Sequence, residues 1–368
     1  MAEDETAGDA RSRVPAVTRA IDVLDDVARN GSGSLAELAR RLGLPKSTLL
    51  GICQSLVEER LLAKDSTGRY RLGLAVAELA AARRLEPPRL GTIGVTVQNL
   101  SNPFFIVELQ GICAAAADLG SKVLVRDAQQ DIDIQCDHLD EFVDLRVDAI
   151  IVDAVNSTDI GRALKRARAE AIPVIAVNVG ATGADATVTT DNVQAGQAIG
   201  RFLARRLNGR GRIAIVDGLP VTAVSDRITG FISALRDFPR IVISHRTAGD
   251  HSRAGGIRAV QEIFADDPRP EAIFAINDPT AEGVVAALTQ RHLSVPVASV
   301  DGSASAVRAI TADGPLIASA AQSPAELGRL AVSLAADLHA GRTIHPRIRL
   351  LPTTLITADN LQTYQAWG

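Results

Sequence analysis

Catalysis would need a nucleophile beside a base, or a group of metal ligands, at a recognisable spacing. The sequence contains six histidines and three cysteines, none spaced as metal ligands, and no Cys-x-x-Cys pair occurs. Neither a Gly-x-Ser-x-Gly nucleophile motif nor a phosphate-binding glycine loop is present. The sequence therefore favours binding over catalysis, and we expect no metal and no cofactor.

Charge divides the chain into two parts. Residues 11–84 carry a net charge of +5, whereas residues 85–368 carry −5, and an acidic tail precedes both at 2–9. Two prolines within 85–89 prevent a helix from continuing across that segment. With 46 % apolar and 22 % charged residues, the chain can form folded cores. We predict a disordered acidic tail at 1–12, a basic domain at 13–84, a linker at 85–90 and an acidic domain at 91–368.

The basic domain has the pattern of three helices followed by a hairpin. An apolar stripe of helical period ends at Asn30, and Ser34 with Glu37 forms a Ser-x-x-Glu capping box for the next helix. Gly43 begins a turn, after which we predict a third helix at 46–59 and a β-hairpin at 61–72.

These elements, in this order, make a winged helix-turn-helix. The residues resemble the DNA-binding domain of IclR-type regulators over about 14–80, through the motifs Val14–Ala20, Leu35–Thr48 and Gly68–Gly73. The resemblance implies that the third helix enters the major groove, where side chains contact base edges while basic residues contact phosphates. The alternative is that the same module is an adaptor that binds another protein.

The resemblance also implies which residues contact DNA. These are Arg41, Lys46, Ser47, Thr48, Leu50, Gln54, Arg69 and Arg71. Gln54 suits an adenine, and the hairpin arginines contact the DNA backbone or enter the minor groove. Ser47 and Thr48 have the alternative role of capping the helix. Gly51 costs the helix about 1 kcal/mol relative to alanine, which suggests either a close approach of DNA at that position or an unusual operator.

From Thr92 onward, short β-rich runs alternate with helical segments. This alternation predicts an α/β domain with two doubly wound parallel sheets, because the predicted strands are more numerous than the strands of one ordinary sheet. The predicted strands are Ile93–Val97, Lys122–Arg126, Ala149–Asp153, Pro173–Asn178, Ile213–Asp217, Ile241–His245, Ala272–Ile276, Val297–Val300 and Leu316–Ala320.

This second domain resembles the ribose-type periplasmic binding proteins and the effector domains of LacI-type regulators. The motifs are Gln98–Phe105, Ile172–Ile175, Thr190–Asn192, Ala275–Asp278, Val300–Gly302 and Ala321–Gln322. The resemblance implies a periplasmic-binding-protein type I fold whose two lobes are joined by three crossovers, near 190–193, 322–323 and 348–353. Lobe 1 is expected at about 91–191 and 323–350, and lobe 2 at about 192–322 and 351–368.

A site for a polyhydroxylated ligand needs Asp, Asn or Gln for the hydroxyls and aromatic rings for the C–H faces. In open α/β sheets it lies at the carboxyl ends of the strands. The resemblance assigns Asn102, Phe104, Asn277, Asp301 and Gln322 to ligand contact, with Phe105 beside Phe104. Alternative roles are helix capping for the asparagines and Asp301, and core packing for the phenylalanines.

Other matched positions depart from the ribose-type pattern. Gln98, Asp153, Asn178, Ser225 and His251 replace different residue types, and Val179 stands where an arginine is usual. Arg227 is included in the ligand-binding set, with a structural ion pair as its alternative role. Fewer arginines and an added Asp153 favour a neutral polyol, pentose or cyclitol over an anion.

We interpret the chain as a ligand-responsive transcription factor, and a repressor released by its inducer. Expected partners are double-stranded operator DNA, a sugar or polyol effector and a second copy of the chain, with a tetramer as the alternative assembly. No export signal is recognised at the N-terminus, so a cytoplasmic location is expected. Alternatives are a solute-binding transport component with an N-terminal extension, and an enzyme of sugar or nucleotide metabolism.

Overall fold

The computed structural model describes residues 15–76, 78, 89–265 and 269–368. The chain divides into two compact units, Met1–Pro87 and Pro88–Gly368. The predicted tail at 1–12 and residues 85–88 of the predicted linker lie outside the described residues.

In the described part of the first unit, three helices precede an antiparallel hairpin, which confirms the winged helix-turn-helix. Its elements are α1 (Pro15–Asn30), α2 (Leu35–Leu42), α3 (Lys46–Glu58), β1 (Leu62–Lys64) and β2 (Tyr70–Leu72). A small core joins them, to which α1, α2, α3 and the hairpin contribute Val23, Leu38, Leu49, Cys53 and Tyr70.

The ends of α2 follow the sequence pattern closely. Ser34 Oγ accepts from the Glu37 N–H at 3.4 Å, and the Ser34 N–H donates to Glu37 Oε2 at 2.9 Å. This reciprocal pair is the predicted capping box, and it satisfies N–H groups that have no partner inside the helix. The helix ends at Gly43, whose φ of 63° is the left-handed conformation that glycine adopts without strain.

Lobe 1 of the second unit is built on a six-stranded sheet in which every neighbouring pair is parallel. Its strands follow the order β13-β7-β6-β5-β3-β4, and an apolar core packs against each face of the sheet. The elements are β3 (Thr92–Val97), α4 (Pro103–Asp118), β4 (Lys122–Asp127), α5 (Ile132–Asp144), β5 (Ala149–Val152), α6 (Gly161–Ala169), β6 (Val174–Val177), β7 (Ala186–Thr190), α12 (Pro324–His339) and β13 (Ile348–Leu351).

Lobe 2 repeats this architecture with the strand order β14-β12-β11-β10-β8-β9. All its pairs are parallel except β12 with β14. The elements are α7 (Asn192–Arg206), β8 (Arg210–Asp217), α8 (Thr222–Leu235), β9 (Arg240–Ala248), α9 (Arg253–Ile263), β10 (Ala272–Ala275), α10 (Asp278–Gln290), β11 (Val297–Asp301), α11 (Ala304–Thr311), β12 (Leu316–Ala321), β14 (Thr354–Thr357) and a 3₁₀ turn (Leu361–Thr363).

The chain passes between the two sheets three times: between β7 and α7, between β12 and α12, and between β13 and β14. Leu351 still pairs with Thr190 in the lobe 1 sheet, so the third passage occupies residues 352–353. The predicted fold class, with two doubly wound sheets, is therefore confirmed.

Three strands are absent from the sequence prediction: β7, β13 and β14. Central strands such as β5 and β6 are completely buried and form short apolar runs, which a sequence pattern detects. In contrast, β7 contains three threonines, and β13 is an edge strand with three exposed residues. Their pairing depends on distant neighbours, and local sequence carries little of that information.

Candidate functional site

A cavity lies between the two lobes of the second unit and contains about 400 Å³ of empty space, its mouth included. Across the cleft, the Gly180 N–H of lobe 1 donates to Thr222 Oγ1 of lobe 2 at 2.7 Å, so the lobes are closed on each other. Ten predicted residues line the cavity: Gln98, Asn102, Phe104, Phe105, Asn178, Arg227, His251, Asn277, Asp301 and Gln322.

Two predicted ligand residues lie elsewhere. Ser225 is exposed on α8 and does not line this cavity, and Asp153 is buried behind it. Four apolar residues that were not in the predicted set do line it, namely Val179, Val221, Ala223 and Val224. Hydrophobic residues at strand and helix ends resemble core residues, so no sequence signal marks Val221, Ala223 and Val224 as cavity residues.

The first turn of α4 supplies an amide and two rings. Asn102 Oδ1 accepts from the Phe104 N–H at 3.0 Å, so its Nδ2 stays available as a donor at the cavity wall. Phe104 and Phe105 are buried and meet edge to face, with centroids 5.6 Å apart and planes at 82°. Capping and ligand contact are therefore compatible for Asn102, and the two rings present an apolar surface to the cavity.

Asp153 positions two cavity residues in lobe 1. Its Oδ1 accepts from Gln98 Nε2 at 2.6 Å, and its Oδ2 accepts from Asn178 Nδ2 at 3.0 Å. Both amide NH₂ groups are thereby directed toward Asp153, which fixes the orientation of the amides. The carbonyl oxygens of Gln98 and Asn178 are left to accept from ligand hydroxyls.

A second carboxyl group, Glu108 on α4, is buried close to Asp153. Neither of its side-chain oxygens has a hydrogen-bond partner within the part of the chain described. Burial and the Asp153 charge raise the pKa of Glu108 well above its ordinary value. Burial likewise raises the pKa of Asp153 to about 7, although hydrogen bonds from Gln98 and Asn178 oppose the shift. This pair of carboxyl groups therefore retains a proton at neutral pH.

In lobe 2, Asp301 is the last residue of β11 and lines the cavity. Its Oδ1 accepts from Gln322 Nε2 at 2.7 Å, and its Oδ2 accepts from the Asp278 N–H at 3.2 Å. Gln322 Oε1 in turn accepts from Thr190 Oγ1 at 2.6 Å, which joins Asp301 to lobe 1. Burial and the charge of Asp278 raise the pKa of Asp301 to about 7 against the opposing effect of Arg227.

Arg227 is a buried cation at the cavity wall. Its Nε donates to Asn192 Oδ1 at 2.8 Å and its Nη1 to the Ile276 carbonyl at 2.9 Å. These partners are neutral oxygens, so within the described residues Arg227 forms no ion pair of the kind considered as its alternative role. Burial lowers its pKa, while Asp301 and Asp278 favour the charged form. Its remaining N–H groups are suited to donate to ligand hydroxyls.

His251 and Asn277 complete the polar lining of lobe 2. His251 Nε2 accepts from the Leu219 N–H at 3.3 Å, and burial, followed by the charge of Arg227, lowers its pKa to about 4. The imidazole is therefore neutral at physiological pH, with Nδ1 as the donor. Asn277 Oδ1 accepts from the Thr280 N–H at 3.1 Å, which caps α10 and leaves its Nδ2 as a donor.

In the first unit, α3 exposes the residues expected to contact DNA. Lys46, Ser47, Leu50 and Gln54 are exposed, and Thr48 is half-buried. The helix begins at Lys46 after Pro45, and no side chain caps it, so the capping alternative for Ser47 and Thr48 is not supported. A Cβ added to Gly51 would meet no atom within 4 Å, so the fold itself does not require this glycine.

The predicted phosphate contacts differ in their surroundings. Arg41 Nη2 pairs with Asp26 Oδ2 at 2.6 Å, and Arg69 Nη2 pairs with Glu37 Oε2 at 2.9 Å. Arg71 is exposed on β2. Ion pairing reduces the positive potential that Arg41 and Arg69 present, so Lys46 and Arg71 are the stronger candidates for phosphate contact.

No group of three or more His, Cys, Asp or Glu side chains in the described parts of the chain could hold a metal ion. Within the same parts, none of the helices combines the length and hydropathy needed to cross a membrane.

Comparison with known proteins agrees with both units. Residues 93–343 match the family described as "Periplasmic binding protein domain", and residues 16–66 match the "IclR helix-turn-helix domain". The ribose import binding protein of Bacillus subtilis (strain 168) is 30 % identical over 284 residues, which cover 73 % of this chain and 92 % of that protein.

Two further matches involve a regulator and a solved structure. The ribose operon repressor of Escherichia coli (strain K12) is 25 % identical over 268 residues, 72 % of this chain and 80 % of that protein. A transporter solute-binding protein from Bacillus halodurans C-125, solved with bound myo-inositol, has a TM-score of 0.70 and 26 % identity, covering 75 % of this chain and 97 % of that one.

The buried carboxyl groups predict how stability depends on pH. Asp153 and Asp301 have a pKa of about 7 when folded, against about 4 when unfolded. The folded chain therefore binds more protons between these values, so the free energy of unfolding falls as pH rises from about 4 through about 7. Asp153→Asn should give a shallower fall. Urea denaturation at each pH, monitored by Trp367 fluorescence, measures the free energy of unfolding.

The exposed Asp313→Asn is the control and should reproduce the wild-type slope. His251 acts with the opposite sign below its unfolded pKa, so variants are compared with wild type at each pH. Equal slopes for wild type and Asp153→Asn would contradict the assignment.

Proposed function

The chain belongs to the periplasmic binding protein domain family and carries an IclR helix-turn-helix domain, and on that basis we propose that it is a transcriptional repressor released from DNA by a small neutral sugar, polyol or cyclitol. The observation that carries the proposal is the presence of two sites in one chain. One is the exposed face of α3, and the other is the closed cavity with its convergent amides, carboxyls and rings.

The chemistry of the cavity supports a neutral polyhydroxylated effector. Gln98 and Asn178 offer carbonyl oxygens, whereas Asn102, Asn277 and Arg227 offer N–H donors. A hydroxyl group can use both kinds of partner, and a C–H face can lie against Phe104 and Phe105. Arg227 is the one cation among the described residues that line the cavity, and Asp301 lies near it, so no excess positive charge favours an anion.

The similar proteins support the same ligand class. The relatives named above are a ribose import binding protein and a ribose operon repressor, and a structurally similar protein holds myo-inositol. We extend to this chain only the shared chemistry, which is a ring or short chain with several vicinal hydroxyls. The departures at Gln98, Asp153 and Val179 argue for a ligand other than ribose itself.

A role in solute import is the second candidate, because the ribose import binding protein matches over 92 % of its own length. The IclR helix-turn-helix domain at residues 16–66 favours regulation, since an import protein has no use for a DNA-contacting module. We further propose that two copies bind a palindromic operator, because each copy contributes one recognition helix per half-site.

Ligand binding is tested first by screening ribose, xylitol, erythritol and myo-inositol for thermal stabilisation, which follows from binding to the folded state. For the polyol that stabilises most, Asp301→Asn should raise the Kd at least tenfold, because a charged acceptor at the cavity wall is lost. Isothermal titration calorimetry measures the Kd. Ser225→Ala, outside the cavity, should bind as wild type. Equal affinity of Asp301→Asn and wild type would contradict the site.

DNA binding is tested on α3. Lys46→Ala should weaken binding to operator and unrelated DNA alike, and should reduce the slope of log K against log salt by about 1. Gln54→Ala should instead lower affinity for operator DNA alone, with the salt slope unchanged. Fluorescence anisotropy of labelled duplexes measures both. The control is Arg258→Ala, which removes an exposed charge from the second unit. The α3 assignment fails if Lys46→Ala and the control bind alike.

A further inference from the structure

Three hydrogen bonds attach the segment after β14 to residues 301–304 of lobe 2. The Tyr364 hydroxyl donates to the Gly302 carbonyl at 2.7 Å, and the Ala304 N–H donates to the Trp367 carbonyl at 2.9 Å. Trp367 Nε1 donates to the Asp301 carbonyl at 3.0 Å. All three partners lie within residues 301–304, from the end of β11 to the start of α11, so Trp367 moves with the lobe that carries Asp301.

The ring of Trp367 nevertheless contacts lobe 1. It meets Phe104 edge to face, with centroids 5.7 Å apart and planes at 82°, and it packs against the apolar core of lobe 1. Phe104 lies in the first turn of α4 and forms part of the ligand cavity. Trp367 itself lines an outer cavity at the mouth of the cleft, beside Asn102, His251 and Asp301.

These contacts make the Phe104–Trp367 pair dependent on closure. Hinge opening moves the first turn of α4 away from the Asp301 loop, because the two belong to different lobes. The ring contact therefore exists only in the closed state, and any interaction made only in that state increases its population. Phe104 also contacts the cavity, so the same contact fixes the ring that faces the ligand.

We propose that Trp367 is a positioning residue that fastens the closed cleft and holds Phe104 against the bound polyol, so that it slows ligand release and disfavours ligands that displace Phe104. This inference rests on the proposed function, because it requires a ligand in the inner cavity. Trp367 acts through Phe104 and Asp301, since it does not line the inner cavity.

Trp367 is the only tryptophan in the sequence, so its fluorescence reports directly on this contact. The probes are ribose, xylitol, erythritol and myo-inositol, each added to the wild-type full chain. A probe that stabilises the protein thermally should also reduce acrylamide quenching of Trp367, because closure covers the ring with Phe104. A role confined to folding would leave the quenching independent of the probe.

Three variants separate closure from folding, each checked by circular dichroism. Trp367→Ala should raise the calorimetric Kd of the bound probe about tenfold, mostly through faster dissociation. Trp367→Phe keeps a ring beside Phe104 and should stay within about threefold of wild type. Gln365→Ala is the matched control, because Gln365 is an exposed residue of the same segment, and it should bind as wild type.

The outcomes distinguish this inference from the proposed function. Binding of a probe with unchanged quenching, or with equal Kd for Trp367→Ala and wild type, overturns the role of Trp367 and leaves the ligand class intact. Absence of binding by every probe contradicts the proposed ligand class, and the inference falls with it.

Discussion

The interaction on which the second unit depends is the bridge that Gln322 makes between its two lobes. Gln322 accepts from Thr190 at the end of β7 and donates to Asp301 at the end of β11. Gln322 lies in one of the three crossovers between the lobes. Its side-chain amide therefore connects both sheets, and the Asp301 carboxyl at the cavity, to the hinge. A ligand that contacts Asp301 therefore interacts with the element that sets the angle between the lobes.

Burial governs the chemistry of the site as much as the choice of residues. Asp153, Asp301 and Arg227 are buried and His251 is half-buried, and the pKa of each is displaced toward its neutral form. Each also uses part of its hydrogen-bonding capacity inside the protein. What remains is a cavity of fixed donors and acceptors with little net charge, which suits hydroxyl groups better than ions.

The fold could be predicted largely because its determinants are local. Short stretches of sequence contain the signals for several elements. These signals are the Ser34 and Glu37 capping box, the apolar runs of β5 and β6, and the Asn-Pro pair at the start of α4. The site was harder to predict than the fold. The motifs placed Asn102 and Asp301 at the cavity, which both residues line, but they also placed Ser225 there, and Ser225 does not line it. Glu108 and Trp367 escaped detection because their roles depend on contacts with Asp153 and Phe104, far away in sequence.

The central claim is that closure around a polyol changes the affinity for DNA. The most direct measurement is the Kd of a labelled palindromic fragment from upstream of the gene, by fluorescence anisotropy, with and without a saturating polyol that binds the cavity. For wild type we expect at least a tenfold weaker DNA Kd with the polyol, and for Asp301→Asn we expect the same weakening only at polyol concentrations at least tenfold higher. An operator Kd that stays the same when the cavity is fully occupied would contradict the central claim.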